Sequence, residues 1–111
     1  MTAGDCLVGL DVGTSAVKGV AIDPAGTVLA LAEAEYPLST PHPGWSEQDP
    51  EDWWQASERV LAELSDRAGA PAGIGLSGQM HGLVALDAQD GVLRPAILWN
   101  DQRTAEECAE I

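Results

Sequence analysis

The sequence predicts a small α/β domain, in which antiparallel strands lead into a helix and then into a parallel strand. Three observations favour this class. Apolar segments rich in Val, Leu and Ala come early in the chain and are separated by glycine-containing turns. A long segment after residue 48 has apolar side chains at helical spacing. A further apolar run follows this helix, and a helical crossover favours parallel pairing of the strands that it joins.

The first part of the chain contains the predicted antiparallel strands. Strands are expected over Leu7–Asp11 and Val17–Asp23, on either side of a glycine turn, and over Val28–Glu35. Residues 24–26 read Pro-Ala-Gly, which is typical of a tight turn. The proline-rich stretch over 37–44 is predicted to be a loop.

A helix is predicted to begin after Asp49, which is a suitable N-cap, with Pro50 in the first helical position. Gly69 and Pro71 are expected to end it. The apolar stripe expected to face the core consists of Trp53, Trp54, Ala56, Val60, Leu61, Leu64 and Ala68.

Short extended segments follow the helix. We expect a parallel strand over Ile74–Ser77, a strand over Leu83–Asp87, a turn at 89–91 and an extended piece over Ile97–Trp99. The order β-β-β-α-β matches the opening of an actin-like, or ribonuclease H-like, α/β domain, in which the first hairpin turn binds phosphate. The class predicted for residues 1–111 is therefore the first part of such a domain.

The last residues, Thr104–Ile111, are typical of the first turns of an acidic helix, with Asn100 or Asp101 as its cap. Arg103 is expected to pair with Asp101 or with a ligand, the structural role being preferred. Because the chain ends within this helix, we expect it to be the front piece of a longer protein.

The composition restricts the partners. The chain has 18 acidic residues against five basic ones and a formal net charge of −13, with the acids spread along its length. Such a surface repels nucleic acid and anionic membranes. It also repels ATP, so a nucleotide site here requires Mg²⁺ and local hydrogen-bond donors.

Two further features bear on location. Cys6 and Cys108 have neither disulfide nor metal-site spacing, which fits inert thiols in a reducing compartment. The sequence shows no signal peptide and no apolar run long enough to span a membrane. A cytoplasmic protein is therefore expected.

The first candidate site is the turn between the first two strands. Asp11 ends a strand, Gly13, Thr14 and Ser15 form the turn, and Lys18 follows. Backbone N–H groups and hydroxyls in a glycine turn bind phosphate oxygens, and a carboxylate holds the accompanying Mg²⁺ through water. An ordinary hairpin turn, with the aspartate bonded to nearby backbone, remains an alternative. The spacing fits neither a Walker loop nor a GxGxxG fingerprint.

The second candidate site follows the predicted parallel strand, where open α/β sheets bind ligands. Gln79 and His81 carry hydrogen-bonding groups suited to sugar hydroxyls, and Met80 offers an adaptable apolar surface. The alternative is that Gly78 and Gly82 form plain turns and that His81 only caps the strand.

A third block, over 41–54, contains three tryptophans expected to anchor a long loop. A functional carboxylate pair at Glu47 and Asp49 is the less favoured interpretation, and His42 is expected to be exposed.

Four segments together resemble the beginning of the FGGY carbohydrate kinases, and most closely the branch that acts on xylulose. They are LDVGTS, HPGWSEQDPEDWW, GLSGQMHG and RPAILWNDQR, in that order, and they extend over essentially the whole chain. The tryptophan-rich block and the QMHG element are specific to this branch, whereas many actin-like ATPases share the DxGTS turn. Relatives that act on glycerol have Arg-Glu where this chain has Met80-His81.

The resemblance implies transfer of the γ-phosphoryl group of ATP to the terminal hydroxyl of D-xylulose. It implies that Asp11 supports Mg²⁺ and that Gly13, Thr14 and Ser15, with Lys18, contact the phosphates of ATP.

The same resemblance implies that Gln79, Met80 and His81 contact the sugar. The general-base aspartate and the adenosine pocket are expected beyond Ile111, so the chain alone is expected to be inactive, and the resemblance allows a homodimer. Two alternatives stay open: another FGGY kinase, acting on ribulose, gluconate or a deoxy-ketose, and a non-catalytic actin-like nucleotide-binding regulator.

Overall fold

The computed structural model describes residues 5–111, so the first four residues of the predicted domain lie outside it. The described part is an α/β arrangement, as predicted, with a four-stranded sheet, a two-stranded sheet and two helices. The elements are β1 (Leu7–Val12), β2 (Ala16–Ile22), β3 (Val28–Glu35), β4 (Glu47–Gln48), α1 (Pro50–Ala68), β5 (Gly73–Gly78), β6 (Ala96–Ile97) and α2 (Ala105–Glu110).

The main sheet has the strand order β3-β2-β1-β5. Strands β1, β2 and β3 pair in antiparallel fashion, and β5 pairs in parallel with β1, which confirms the predicted crossover. The register sets Lys18 and Ser77 directly beside Asp11, one on each neighbouring strand. Side chains in one cross-strand row lie on the same face of a sheet. Three polar residues are thereby brought together at the end of β1.

Helix α1 packs on β2 and β3. Ala30, Ala32 and Ala34 alternate with exposed residues along β3 and form a shallow buried row beneath the helix. The helix comes closest to the sheet at Gly19, where a Cβ atom would lie 2.5 Å from Cγ1 of Val60. Small side chains on the strands therefore let the helix sit directly on the sheet.

The ends of α1 follow the predicted signals. Oδ1 of Asp49 accepts the N–H of Glu51 at 2.9 Å, Pro50 occupies the first turn, and Gly69 ends the helix with φ of +89°. The prediction for Trp54 was wrong, since this side chain is exposed whereas Trp53 is half-buried. Residue 54 lies about 100° further round the helix than Trp53, on the side that is turned to solvent.

The sheet face opposite α1 is uncovered in the described part of the chain. It carries the exposed apolar side chains Leu29 and Leu31, together with Asp11 and Lys18 near one end. A shallow groove of about 470 Å³ runs along this face. No helix among residues 5–111 is long and apolar enough to cross a bilayer.

The segment after β5 differs from the prediction. The expected strand over Leu83–Asp87 is wrong: Leu83 and Leu86 each form one isolated bridge, to Ile97 and Val92. The expected piece over Ile97–Trp99 is shorter and lies one residue earlier, as β6, which pairs with an unpredicted β4. Short non-local pairings of this kind carry little sequence signal, because a two-residue strand shows no alternation.

The predicted cap of the last helix is also wrong. Helix α2 begins at Ala105, after Thr104, and no side chain caps it. Asp101 instead accepts the N–H groups of Ser46 and Arg103, so its carboxylate joins the 45–48 segment to the last loop.

Candidate functional site

The glycine turn between β1 and β2 is held from inside the protein by two side chains. The N–H of Gly13 donates to the carbonyl of Ala16 at 3.0 Å, which closes the turn. The Tyr36 hydroxyl donates to the carbonyl of Gly13, and Nε2 of Gln48 donates to the carbonyl of Thr14 at 2.6 Å. Neither Tyr36 nor Gln48 was predicted to touch this turn.

Tyr36 keeps its proton at neutral pH. Burial, and then the negative charge of Asp11, raises the pKa of the Tyr36 phenol. The hydroxyl therefore stays a donor, and it also lies 3.2 Å from the carbonyl of Ala16. Both ends of the turn thus lie against one buried side chain.

Asp11 and Lys18 lie on the uncovered face of the sheet, and both side chains are exposed. The Ser77 hydroxyl donates to Oδ1 of Asp11 at 3.1 Å. Within residues 5–111, no group of three or more His, Cys, Asp or Glu side chains is placed to hold a metal ion. One exposed carboxylate is nevertheless a suitable partner for Mg²⁺, which keeps several waters and takes one or two protein carboxylates beside substrate phosphates.

Gln79 connects the two candidate sites. Its Nε2 donates to the carbonyl of Gly13 at 3.4 Å and to Oε1 of Gln48 at 3.1 Å. Its Oε1 accepts the hydroxyl of Thr14 at 3.4 Å, and its backbone N–H donates to the carbonyl of Val12 at 2.9 Å. The residue after β5 is thereby fixed against the glycine turn.

Met80 and His81 follow Gln79 into the open. Both are exposed, and they border a cleft of about 230 Å³ that Trp53 and Leu98 also line. His81 has φ of 63°, in the left-handed region that non-glycine residues seldom adopt. Such backbone strain is concentrated at functional sites. The cleft offers one apolar side and one hydrogen-bonding ring.

Ser15 is exposed in the turn, and Trp99, which is also exposed, contacts the neighbouring Thr14. Nε1 of Trp99 donates to Oγ1 of Thr14 at 3.2 Å, across 85 residues of sequence. The Thr14 hydroxyl thus joins Trp99 and Gln79. Sequence reasoning assigned Trp99 no role at this turn, and no local pattern indicates one.

The model of the FGGY family of carbohydrate kinases, N-terminal domain, matches residues 6–111. The chain belongs to this family. The xylulose kinase of Escherichia coli is 50% identical over 103 residues, which are 91% of this chain and 21% of that protein. The chain thus spans about a fifth of the length of the relatives that it matches.

Solved structures of FGGY kinases agree with the fold. The crystal structure of xylulose kinase from Rhodospirillum rubrum has a TM-score of 0.87 and 40% identity, covering 96% of this chain and 23% of that chain. The gluconate kinase from Lactobacillus acidophilus has a TM-score of 0.92 and 33% identity, covering 96% and 22%. The predicted actin-like class and the predicted family are confirmed.

A cluster of ion pairs fixes the outer loops of this FGGY domain. Glu47 is buried and accepts Nη2 of Arg94 at 2.6 Å and Nη2 of Arg103 at 2.8 Å. Arg103 also binds Asp101 at 2.7 Å, and its guanidinium lies 3.7 Å from the centre of the Trp45 ring. The preferred structural interpretations of Arg103 and of Glu47 are supported by these contacts, since both residues join loop segments far apart in sequence.

Because of this cluster, the stability of the fold depends on pH. Hydrogen bonds from the Arg103 side chain lower the pKa of Asp101 below its ordinary value. In the unfolded chain the carboxyl titrates near pH 4, so its stabilising charge is present above about pH 4 and is lost as the pH falls towards the lowered folded pKa. We expect Asp101→Asn to lower the melting temperature at pH 7, and the gap from wild type to narrow below about pH 4.

Thermal unfolding between pH 7 and pH 2.5 measures this gap. Asp66→Asn, on the exposed side of α1, is the matched control and should follow the wild-type curve. A gap for Asp101→Asn that stayed constant through pH 4 would contradict the assignment.

Proposed function

We propose that this chain is the N-terminal part of an ATP-dependent sugar kinase that phosphorylates D-xylulose. The observation that carries the proposal is the position of Gln79, which contacts the glycine turn and immediately precedes the exposed pair Met80 and His81. A phosphate donor at the turn and a sugar at that pair would thus be neighbours. Identity of 50% to a xylulose kinase supports the choice of sugar.

The turn would hold the phosphates of ATP. The backbone N–H groups after Gly13, and the hydroxyls of Thr14 and Ser15, would donate to phosphate oxygens, with Lys18 adding positive charge. Asp11 would hold Mg²⁺ through water, and the ion would offset phosphate charge in a protein of net charge −13.

The sugar would lie against Met80 and His81. In the transfer, the oxygen of the terminal hydroxyl of D-xylulose forms a bond to the γ-phosphorus while the bond from that phosphorus to the β-γ bridging oxygen breaks. The hydroxyl proton passes to a general base, the aspartate expected beyond Ile111. The products are ADP and D-xylulose 5-phosphate, which would give the enzyme a role in xylose metabolism.

A second candidate function is another FGGY kinase. The likeness to a gluconate kinase, with a TM-score of 0.92, favours this alternative at the level of the fold. Ribulose and deoxy-ketoses belong to the same alternative. A non-catalytic actin-like regulator would share the glycine turn but has no need of the Met80–His81 pair, so the sugar cleft argues against it.

Coupled ADP release by the full-length protein, with a panel of D-xylulose, D-ribulose and gluconate, tests the proposal. The highest kcat/KM is expected for D-xylulose. The 111-residue chain is expected to show no turnover, because one part of a two-domain kinase cannot close around its substrates. Highest kcat/KM for another sugar would favour the second candidate, and nucleotide binding without sugar-dependent turnover would favour the regulator.

His81→Ala in the full-length protein is expected to lower kcat/KM for D-xylulose by about 10- to 100-fold, the cost of one hydrogen bond to a buried sugar hydroxyl. The Kd for MgATP should stay within about twofold, because His81 lies outside the glycine turn. His42→Ala, at an exposed histidine beside a different cleft, is the control and should leave both values unchanged. Equal losses for sugar and nucleotide would contradict a sugar contact.

We also propose a cytoplasmic location, which the free thiols Cys6 and Cys108 support. A homodimer stays a prediction, as does the absence of nucleic-acid and membrane partners, which follows from the negative charge.

A further inference from the structure

Gln48 is a buried amide at the centre of the site, and the expected chemistry gives it no part. Gln48 is 2% exposed to solvent. Nε2 donates to the carbonyl of Thr14 at 2.6 Å, and Oε1 accepts Nε1 of Trp53 at 2.9 Å and Nε2 of Gln79 at 3.1 Å. One amide therefore joins helix α1, the glycine turn and the residue after β5.

The hydrogen bond from Gln48 to the Thr14 carbonyl orients the peptide group between Thr14 and Ser15. In a trans peptide the C=O and the following N–H point in opposite directions, and no peptide bond in the described part of the chain is cis. Because Gln48 draws the carbonyl of Thr14 inward, the N–H of Ser15 points outward. Tyr36 and Gln79 act in the same way on the carbonyl of Gly13, which turns the N–H of Thr14 outward.

We propose that Gln48, assisted by Tyr36, is a positioning residue that presets the glycine turn as an anion cradle. It holds the inward carbonyls so that two successive N–H groups face the phosphates before nucleotide arrives. The inference rests on the proposed function, because it assigns the residues that prepare the nucleotide side of that site.

The amide chemistry of Gln48 suits this task. The side chain must donate to Thr14 and accept from Trp53 and Gln79 at the same time, which a carboxylate or an alkyl group of similar size cannot do. A glutamate here would still accept from Trp53 and Gln79 but would set a charged oxygen against the Thr14 carbonyl. The peptide between Thr14 and Ser15 would then lose its inward hydrogen bond.

Gln48→Glu in the full-length protein is therefore the main test. We expect the Kd for MgATP to rise about tenfold and kcat to fall about 10- to 100-fold, since small misplacements of bound groups slow the chemical step strongly. The KM for D-xylulose should change less than the Kd for MgATP, because the variant keeps the contact with Gln79. Gln55→Glu is the matched control on the exposed side of α1 and should leave all three values unchanged.

Tyr36→Phe is the second variant, and it decides the matter if Gln48→Glu does not fold. It removes the hydroxyl donor from the Gly13 carbonyl and leaves the aromatic packing, so the Kd for MgATP should rise about threefold or more. Amide hydrogen exchange over residues 12–16 gives a readout independent of activity. Bound MgATP should slow this exchange in the wild type, and less so in either variant.

The outcomes separate the two proposals. A wild type that binds MgATP but does not phosphorylate D-xylulose overturns the proposed function and leaves the cradle to be judged by Kd and exchange. Folded variants with wild-type Kd for MgATP and wild-type exchange overturn the role of Gln48, even if D-xylulose is the substrate. A wild type that does not bind MgATP overturns both.

Discussion

Replacing Asp11 by alanine in the full-length protein is expected to lower kcat for sugar phosphorylation by about 10²- to 10³-fold. Asp11 stands at the end of β1 on the uncovered face, beside Lys18 and Ser77, and is the carboxylate that would hold Mg²⁺ next to the glycine turn. The variant would hold Mg²⁺ less well, and losing a preorganised charge that offsets the charge at the reacting phosphate costs about this much. Initial rates at saturating D-xylulose and varied MgATP measure the effect.

Two further variants separate charge from shape. Asp11→Asn has the same size and keeps an acceptor for the Ser77 hydroxyl, so a loss close to that of Asp11→Ala is expected if the charge is what matters. Asp23→Asn is the control, because Asp23 is a half-buried turn residue after the far end of β2, away from the glycine turn. An Asp11→Ala variant with at least half of the wild-type kcat would refute the assignment of this carboxylate to Mg²⁺.

Leu64→Ala is expected to lower the free energy of unfolding by about 2–5 kcal/mol, the usual cost of a cavity at a fully buried leucine. Leu64 is 1% exposed and lies against Gly19 of β2, where α1 meets the sheet. The close approach that Gly19 permits leaves little slack to refill the space. Urea unfolding followed by circular dichroism measures the change.

Leu93→Ala is the matched control, since Leu93 is 63% exposed. It should change the free energy of unfolding by less than about 0.5 kcal/mol, as surface substitutions usually do. Equal effects at the two positions would mean that α1 does not pack on the sheet as described.

Local patterns in the sequence were sufficient for the elements that support the site. The alternation in β3, the Asp49-Pro50 start of α1 and the glycine turn each depend on neighbouring residues, so short windows contain the needed information. The expectation that Gln79 belongs to a candidate site came from a general property of open α/β sheets. Such sheets bind ligands at the carboxyl ends of their parallel strands.

The contacts that prepare the turn were beyond such reasoning. Gln48 reaches Thr14 across 34 residues, and Trp99 reaches it across 85. Neither residue belongs to a periodic pattern that points to the turn, because each contact depends on how separate segments fold together. The failed strand over 83–87 shares this cause at Leu83, whose one bridge is to Ile97, 14 residues further along the chain.

The open side of the main sheet affects how strongly the Asp11 carboxylate attracts a cation. Two opposite unit charges 4 Å apart attract by about 1 kcal/mol in bulk water and by about 4 kcal/mol at the lower effective dielectric constant near a protein surface. Any segment that shields the groove along Gly9, Asp11 and Leu31 from solvent would move this carboxylate from the first regime towards the second. Cation affinity at Asp11 is therefore adjustable by groups that never touch the ion.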